Sequence, residues 1–140
     1  MFSDRKHPPP QKRIDSLIGA GTSVRGDIVF TGRDRKSLRV AGRVEGNVAT
    51  VDGQAGTLVI SEQARIDGEI RVSHIVVNGT VNGPVTASDY LELQPKARLT
   101  GDVSYKTLEM HVGAVIQGRL NHGAAEPESA SVVELKRVQG

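Results

Sequence analysis

Between residues 14 and 120 the chain keeps returning to one arrangement of apolar and polar positions, apolar-x-Gly-x-apolar with charged or polar residues at x. It reads Val24-Arg25-Gly26-Asp27-Ile28, Val44-Glu45-Gly46-Asn47-Val48, Ile66-Asp67-Gly68-Glu69-Ile70, Val81-Asn82-Gly83-Pro84-Val85, Leu99-Thr100-Gly101-Asp102-Val103 and Ile116-Gln117-Gly118-Arg119-Leu120. A shorter alternating segment precedes each copy: Leu38-x-Val40, Leu58-x-Ile60, Ile75-x-Val77, Leu91-x-Leu93 and Leu108-x-Met110, with a degenerate version at Leu17-Ile18. Alternation at period two puts one set of side chains on each face of a strand. The gap from lead-in to phrase is four residues (Val40 to Val44, Val77 to Val81) or six (Ile18 to Val24, Ile60 to Ile66, Leu93 to Leu99, Met110 to Ile116). Both gaps are even, so the inward face is preserved.

A third apolar segment follows several phrases, at Val29-Phe30, Val72, Ala87 and Tyr105. Three short strands per unit imply three faces. The intervals between phrase glycines are uneven, longest from Gly26 to Gly46 and from Gly46 to Gly68. Polar insertions at residues 31–37 and 52–57 account for those two intervals as corner loops. The pattern predicts an all-β parallel β-helix of about six coils, in which each strand pairs with its counterpart one turn later. A single coil cannot bury its apolar face alone, so stacking supplies the core. At about 4.8 Å per stacked strand, six coils make a rod roughly 30 Å long. One interior column runs Val24, Val44, Ile66, Val81, Leu99, Ile116; another runs Ile28, Val48, Ile70, Val85, Val103, Leu120. The glycine column between them points outward or sits at a bend.

Composition agrees with such a core. Aromatics make up 3% of the 140 residues, and there is no Trp; Val, Ile and Leu suit a pleated, half-buried surface. The absence of cysteine removes disulfides, thiolate ligands and thiol nucleophiles, and fits a cytoplasmic setting. No apolar run reaches a membrane span and no signal-peptide core follows Met1, so the expected protein is soluble or peripheral. The formal net charge of +2 is uneven. Residues 14–120 balance twelve basic against twelve acidic side chains, which speaks against a nucleic-acid-binding face. Residues 1–13 carry Arg5, Lys6, Lys12 and Arg13 against Asp4, beside Phe2 and the run Pro8-Pro9-Pro10. This segment reads as a disordered tail whose Phe2 and basic side chains can touch an anionic membrane surface. Residues 121–140 begin with a linker-like composition and read as a second disordered tail, with a short apolar patch at Val132-Val133-x-Leu135 beside Lys136-Arg137.

Candidate chemistry is thin. The histidines His7, His74, His111 and His122 fall in tails or separate units, with no i+4 pair or metal-ligand spacing. Asp27, Glu69 and Asp102 share a column beside the glycines, but Asn47, Pro84 and Arg119 interrupt it. A sugar-cleaving carboxylate pair is therefore less apt than a solvated ladder of mixed charge. No catalytic triad, nucleotide fingerprint or phosphate-cradling loop is present. The reading is non-enzymatic, without catalytic, cofactor-binding or metal residues, and without nucleotide or nucleic acid as a partner.

The last feature is at the two ends. Natural β-helices usually cover their open strand edges with a cap, and no capping helix is evident here. Ile14, Leu17, Ile18 and Val24 in the first coil, and Met110, Val115, Ile116 and Leu120 in the last, are then left to pair with another molecule. End-to-end self-assembly is the expectation.

The six coils, the lead-in strands and the short polar tails resemble the bactofilins, a bacterial cytoskeletal family, over about residues 14–120. Met1-Phe2-Ser3 followed by basic residues is similar to the membrane-targeting tail of some bactofilins. The resemblance implies a right-handed triangular β-helix that polymerises without bound nucleotide. It also implies a scaffold role in cell shape, polarity or local cell-wall synthesis, with cell-wall enzymes or other bactofilins as partners and a place at the inner face of the cytoplasmic membrane. Two rivals belong to other classes. A left-handed hexapeptide-repeat acyltransferase needs an unbroken six-residue period, which the four-residue gaps interrupt. A β-helical adhesin or secreted lyase needs a secretion signal.

Overall fold

The alternating segments become strands, and the glycines and polar clusters become the corners between them. A computed structural model describes residues 15–31, 36–51 and 54–123. The tail assignments to 1–13 and 121–140 therefore fall almost wholly outside the described residues, as do Phe2, Arg5, Lys6, Lys12, Arg13 and Ile14. In chain order the strands are β1 (Ser16–Ile18), β2 (Ser23–Arg25), β3 (Ile28–Phe30), β4 (Ser37–Val40), β5 (Arg43–Glu45), β6 (Val48–Thr50), β7 (Thr57–Ile60) and β8 (Arg65–Asp67). They continue with β9 (Ile70–Val77), β10 (Thr80–Asn82), β11 (Val85–Leu93), β12 (Arg98–Thr100), β13 (Val103–Met110), β14 (Val115–Gln117) and β15 (Leu120–His122). There is no helix among the described residues.

All pairing is parallel, between each strand and its counterpart one rung on, which makes a β-solenoid of six rungs and about five turns. The phrase strands form a six-stranded sheet in the order β14-β12-β10-β8-β5-β2. Their register stacks Val24 on Val44, Ile66, Val81, Leu99 and Ile116, the interior column expected from the sequence. The other strands form one nine-stranded sheet. Here the expectation of three short strands per unit needs correcting. Where no insertion separates the third segment from the next lead-in, the chain turns the corner without breaking its pairing, so β9, β11 and β13 each serve two faces. Beyond Ala87, β11 carries one extra residue relative to both neighbours, a β-bulge at Ser88 and Asp89.

These features account for every glycine spacing. The shortest repeat runs from Gly68 to Gly83 and turns from lead-in to phrase through Asn78-Gly79. Wider turns, such as those over residues 61–64 and 94–97, are each closed by a hydrogen bond from the fourth residue's N–H to the first residue's carbonyl, and add two residues. The bulge adds one, and each corner loop adds five.

The core is a continuous stack of Leu38, Leu58, Ile75 and Leu91, of Val40, Ile60, Val77 and Leu93, and of the two phrase columns between their end members, all buried. Ser73 is the one buried polar side chain among the described residues. Its hydroxyl donates to the Gly56 carbonyl and accepts from the Gly56 N–H, both at 2.9 Å, which pins the second corner loop to the face beneath it.

Glycine occupies its column for a steric reason. A Cβ on Gly46 would strike the carbonyl of Gly26, and one on Gly68 would strike that of Gly46. Chain and chain approach too closely there for any side chain.

Candidate polymerisation ends

The end rungs are built from the same strands as the middle, with neighbours on one side only among the described residues. Val44, Ile66, Val81 and Leu99 are fully buried or nearly so, whereas Val24 and Ile116, which terminate the same column, are only partly covered. Ile18 and Leu120 end their columns in the same half-covered state. Met110 closes the lead-in column with 45% of its surface exposed. Five of the sequence-predicted interface residues, Ile18, Val24, Met110, Ile116 and Leu120, thus sit where interior columns stop.

Two others do not. Leu17 pairs in register with Arg39, and Val115 with Arg98, so both occupy outward positions, 61% and 39% exposed. They rim the end faces instead of finishing the core. The inward position beside Leu17 is Ser16, aligned with Leu38. Val112, at the tip of the last wide turn, is 97% exposed and joins Met110 and Val115 in an apolar rim that the repeat pattern did not single out.

The backbone edges match this asymmetry. Among the described residues β13 pairs with β15 over residues 103–105 only, so its stretch 107–110 has a described neighbour, β11, on one side alone. The remaining corner is better closed: His122 lies against the Tyr105 ring, centroids 5.5 Å apart, with its Nε2 3.0 Å from the Lys106 carbonyl. Burial beneath this lid raises the Tyr105 hydroxyl above its ordinary pKa.

Along the flanks, charge is paired within and between rungs. Arg25 and Arg43 both reach Glu45 at 3.5 Å, and Arg65 reaches Asp67 at 3.3 Å. Asp67 also accepts from the Asn82 amide at 2.8 Å; this hydrogen bond, ahead of the Arg65 guanidinium, holds its carboxyl below the usual range. The column read as a solvated ladder has a further task. Asp27 Oδ1 accepts the Asn47 N–H at 3.0 Å, Asn47 Oδ1 accepts that of Glu69 at 2.9 Å, and Asp102 Oδ1 accepts that of Arg119 at 3.1 Å. Each side chain satisfies a corner N–H one rung on. Pro84, which follows Glu69 in the column, has no N–H to satisfy.

Stacking also brings together residues with no ligand spacing in the sequence. Glu92 and Glu109 are register partners, and His111 Nε2 lies 3.1 Å from Glu92 and 3.5 Å from Glu109. Their ligating atoms lie within 4.8 Å of one another, close enough to hold a metal ion. The Tyr90 hydroxyl donates to Glu109 at 2.6 Å, which, with burial second, raises it far above the ordinary phenol range. The signal in the sequence was the repeated apolar-Glu-apolar of successive lead-in strands. His74 instead bonds its own neighbour, Nδ1 to Ser73 Oγ at 2.9 Å.

Comparison with known proteins decides the family. The Bactofilin family profile, described as polymer-forming cytoskeletal, matches residues 16–121. The chain belongs to the bactofilin family. This bactofilin is 30% identical over 108 residues to Bactofilin BacP of Myxococcus xanthus, a match covering 76% of the chain and 43% of BacP. It is 24% identical over 118 residues to Bactofilin BacO of the same organism, covering 83% of the chain and 89% of BacO. The chain thus spans less than half of BacP and most of BacO. No solved structure matches it. A polymer-forming cytoskeletal family fits the non-enzymatic reading and self-association. No helix among the described residues is long and apolar enough to cross a membrane.

Proposed function

We propose that this bactofilin is a nucleotide-independent scaffold whose solenoids join end to end into filaments. The observation that carries the reading is the loss of cover at both ends of columns otherwise sealed from water, at Val24 and Ile116 above all. A second copy placed there would continue the columns and the parallel ladder, and burial of about 25 cal/mol per Å² of apolar surface favours the contact without a bound nucleotide. The contact residues are Ile18, Val24, Met110, Ile116 and Leu120 in the columns and Leu17 and Val115 at the rims, together with Ile14, which lies outside the described residues. Negative-stain electron microscopy of the untagged protein, freed of nucleotide, tests this directly. Filaments are expected, and a monodisperse monomer across concentration and salt sinks the reading.

Within the cell, the scaffold reading extends to cell shape, polarity or local cell-wall synthesis on the inner face of the membrane, with wall enzymes or other bactofilins as partners. Phe2 and the cluster Arg5, Lys6, Lys12, Arg13 support membrane contact, each basic residue adding about 1 kcal/mol near an anionic surface. One such tail is marginal, whereas a filament presents many at once. Deleting residues 2–13 should release the protein from anionic liposomes in a flotation assay yet spare assembly. Undiminished flotation would clear the tail of this role.

A further inference from the structure

Several acidic side chains on the flanks are met by guanidinium or ammonium groups: Glu45 by Arg25 and Arg43, Asp67 by Arg65, and Glu62 by Lys96. Glu92 and Glu109 differ. They stack directly on one another, and among the described residues their ion-pair partner is the His111 imidazole alone. Like charges directly opposite on neighbouring strands repel, and one imidazolium balances at most one of them. The three side chains are also spaced to share a cation. His111 Nε2 lies 3.1 Å from Glu92 Oε2 and 3.5 Å from Glu109 Oε2, and the ligating atoms all lie within 4.8 Å of one another. Donor atoms bound tetrahedrally to zinc at about 2.0–2.1 Å stand roughly 3.4 Å apart, so both imidazole separations match a coordination edge.

The other two carboxylate oxygens are held from behind. The Tyr90 hydroxyl lies 2.6 Å from Glu109 Oε1 and 3.4 Å from Glu92 Oε1, which leaves both Oε2 atoms turned to the imidazole. Such outer hydrogen bonds commonly orient the carboxylates of a metal site. The Gln94 amide adds a longer contact, 3.4 Å from Glu92 Oε2. We propose that Glu92, Glu109 and His111 bind one zinc-type divalent ion through these three atoms, with water completing the coordination and Tyr90 as a positioning residue. An imidazole among carboxylates selects such an ion over calcium and magnesium, which prefer oxygen donors alone. The ion spans two rungs and so ties the end of β13 to β11. None of this depends on filament formation.

Equilibrium dialysis of the full-length chain, first stripped with a chelator, against zinc chloride reads binding whether or not the protein polymerises. One zinc per chain is expected, retained against a large excess of magnesium. His111→Ala and Glu92→Gln should each weaken binding by at least about tenfold, and Tyr90→Phe by about tenfold. Failure to retain zinc overturns the proposal. So does zinc held equally well by both ligand variants, which assigns it to other groups such as His74 or His122. Unchanged affinity in Tyr90→Phe overturns the positioning role alone. Amide hydrogen exchange gives a second reading in the same proteins. Zinc should slow exchange over residues 107–111 in the parent and leave His111→Ala unaffected; protection confined to other segments also overturns the site.

Discussion

Filaments should dissolve when Ile116 is replaced by arginine, while the far-ultraviolet CD spectrum stays β-rich. Ile116 ends a column whose next member, Leu99, is 2% exposed, yet it is itself only partly covered in the isolated chain. A guanidinium there can reach water in the monomer. Pressed against a second solenoid, it becomes an unpaired charge in an apolar contact, an effect of about 3–5 kcal/mol. Each 1.4 kcal/mol is about tenfold in affinity, so the assembly threshold should rise more than about 100-fold. Sedimentation across a concentration series reads the threshold. Assembly at the wild-type concentration would show that the contact lies elsewhere on the molecule.

Gly68→Ala should unfold the protein at temperatures the parent withstands, and far more readily than Gly26→Ala. The two glycines share a column and a positive φ, +155° and +127°. A side chain at either bears the conformational cost of that region, about 1–3 kcal/mol. At Gly68 the new methyl also collides with the Gly46 carbonyl, whereas at Gly26, in the first rung, nothing lies within 4 Å. The rungs would have to part at mid-rod, breaking ladder bonds and opening the core beside Ile66 and Ile70. A further loss of at least about 3 kcal/mol is expected, within the range of severe core lesions. Thermal melts of both variants in the monomeric Ile116→Arg background make the comparison free of assembly. Equal shifts in Tm would mean that the close approach imposes no steric demand.

The columns were legible because stacking makes the interior periodic: Val44, Ile66, Val81 and Leu99 declare themselves by spacing alone. What spacing could not convey was anything decided at a corner or an edge. Leu17 stands out as an end contact because it is apolar, and only register with Arg39 shows that it lies on the outer face. Asp27, Asn47 and Asp102 looked like solvated polar groups, because a side-chain oxygen accepting an N–H one rung on leaves no mark in linear order. The Glu92–Glu109–His111 group was hidden for the same reason, its members coming together only when β11 and β13 are laid side by side. The fusion of third and lead-in segments in β9, β11 and β13 depended on the absence of a loop, and an absence is hard to read from period-two alternation.

The corner loops lie in the first half of the rod, on adjacent rungs, with Thr31 Oγ1 donating to Gln54 Oε1 at 2.9 Å across them. Each subunit therefore carries its two inserted corners, a landmark, near one end and no such insertion near the other. At about 4.8 Å per rung, six rungs advance a filament by roughly 29 Å per subunit. Subunits laid in one direction would show the landmark once in every such step. Subunits alternating in direction would show it in pairs, with the period doubled. The inserted corner thus works as an arrowhead, and the layer-line spacing of a filament image reports which way successive molecules point.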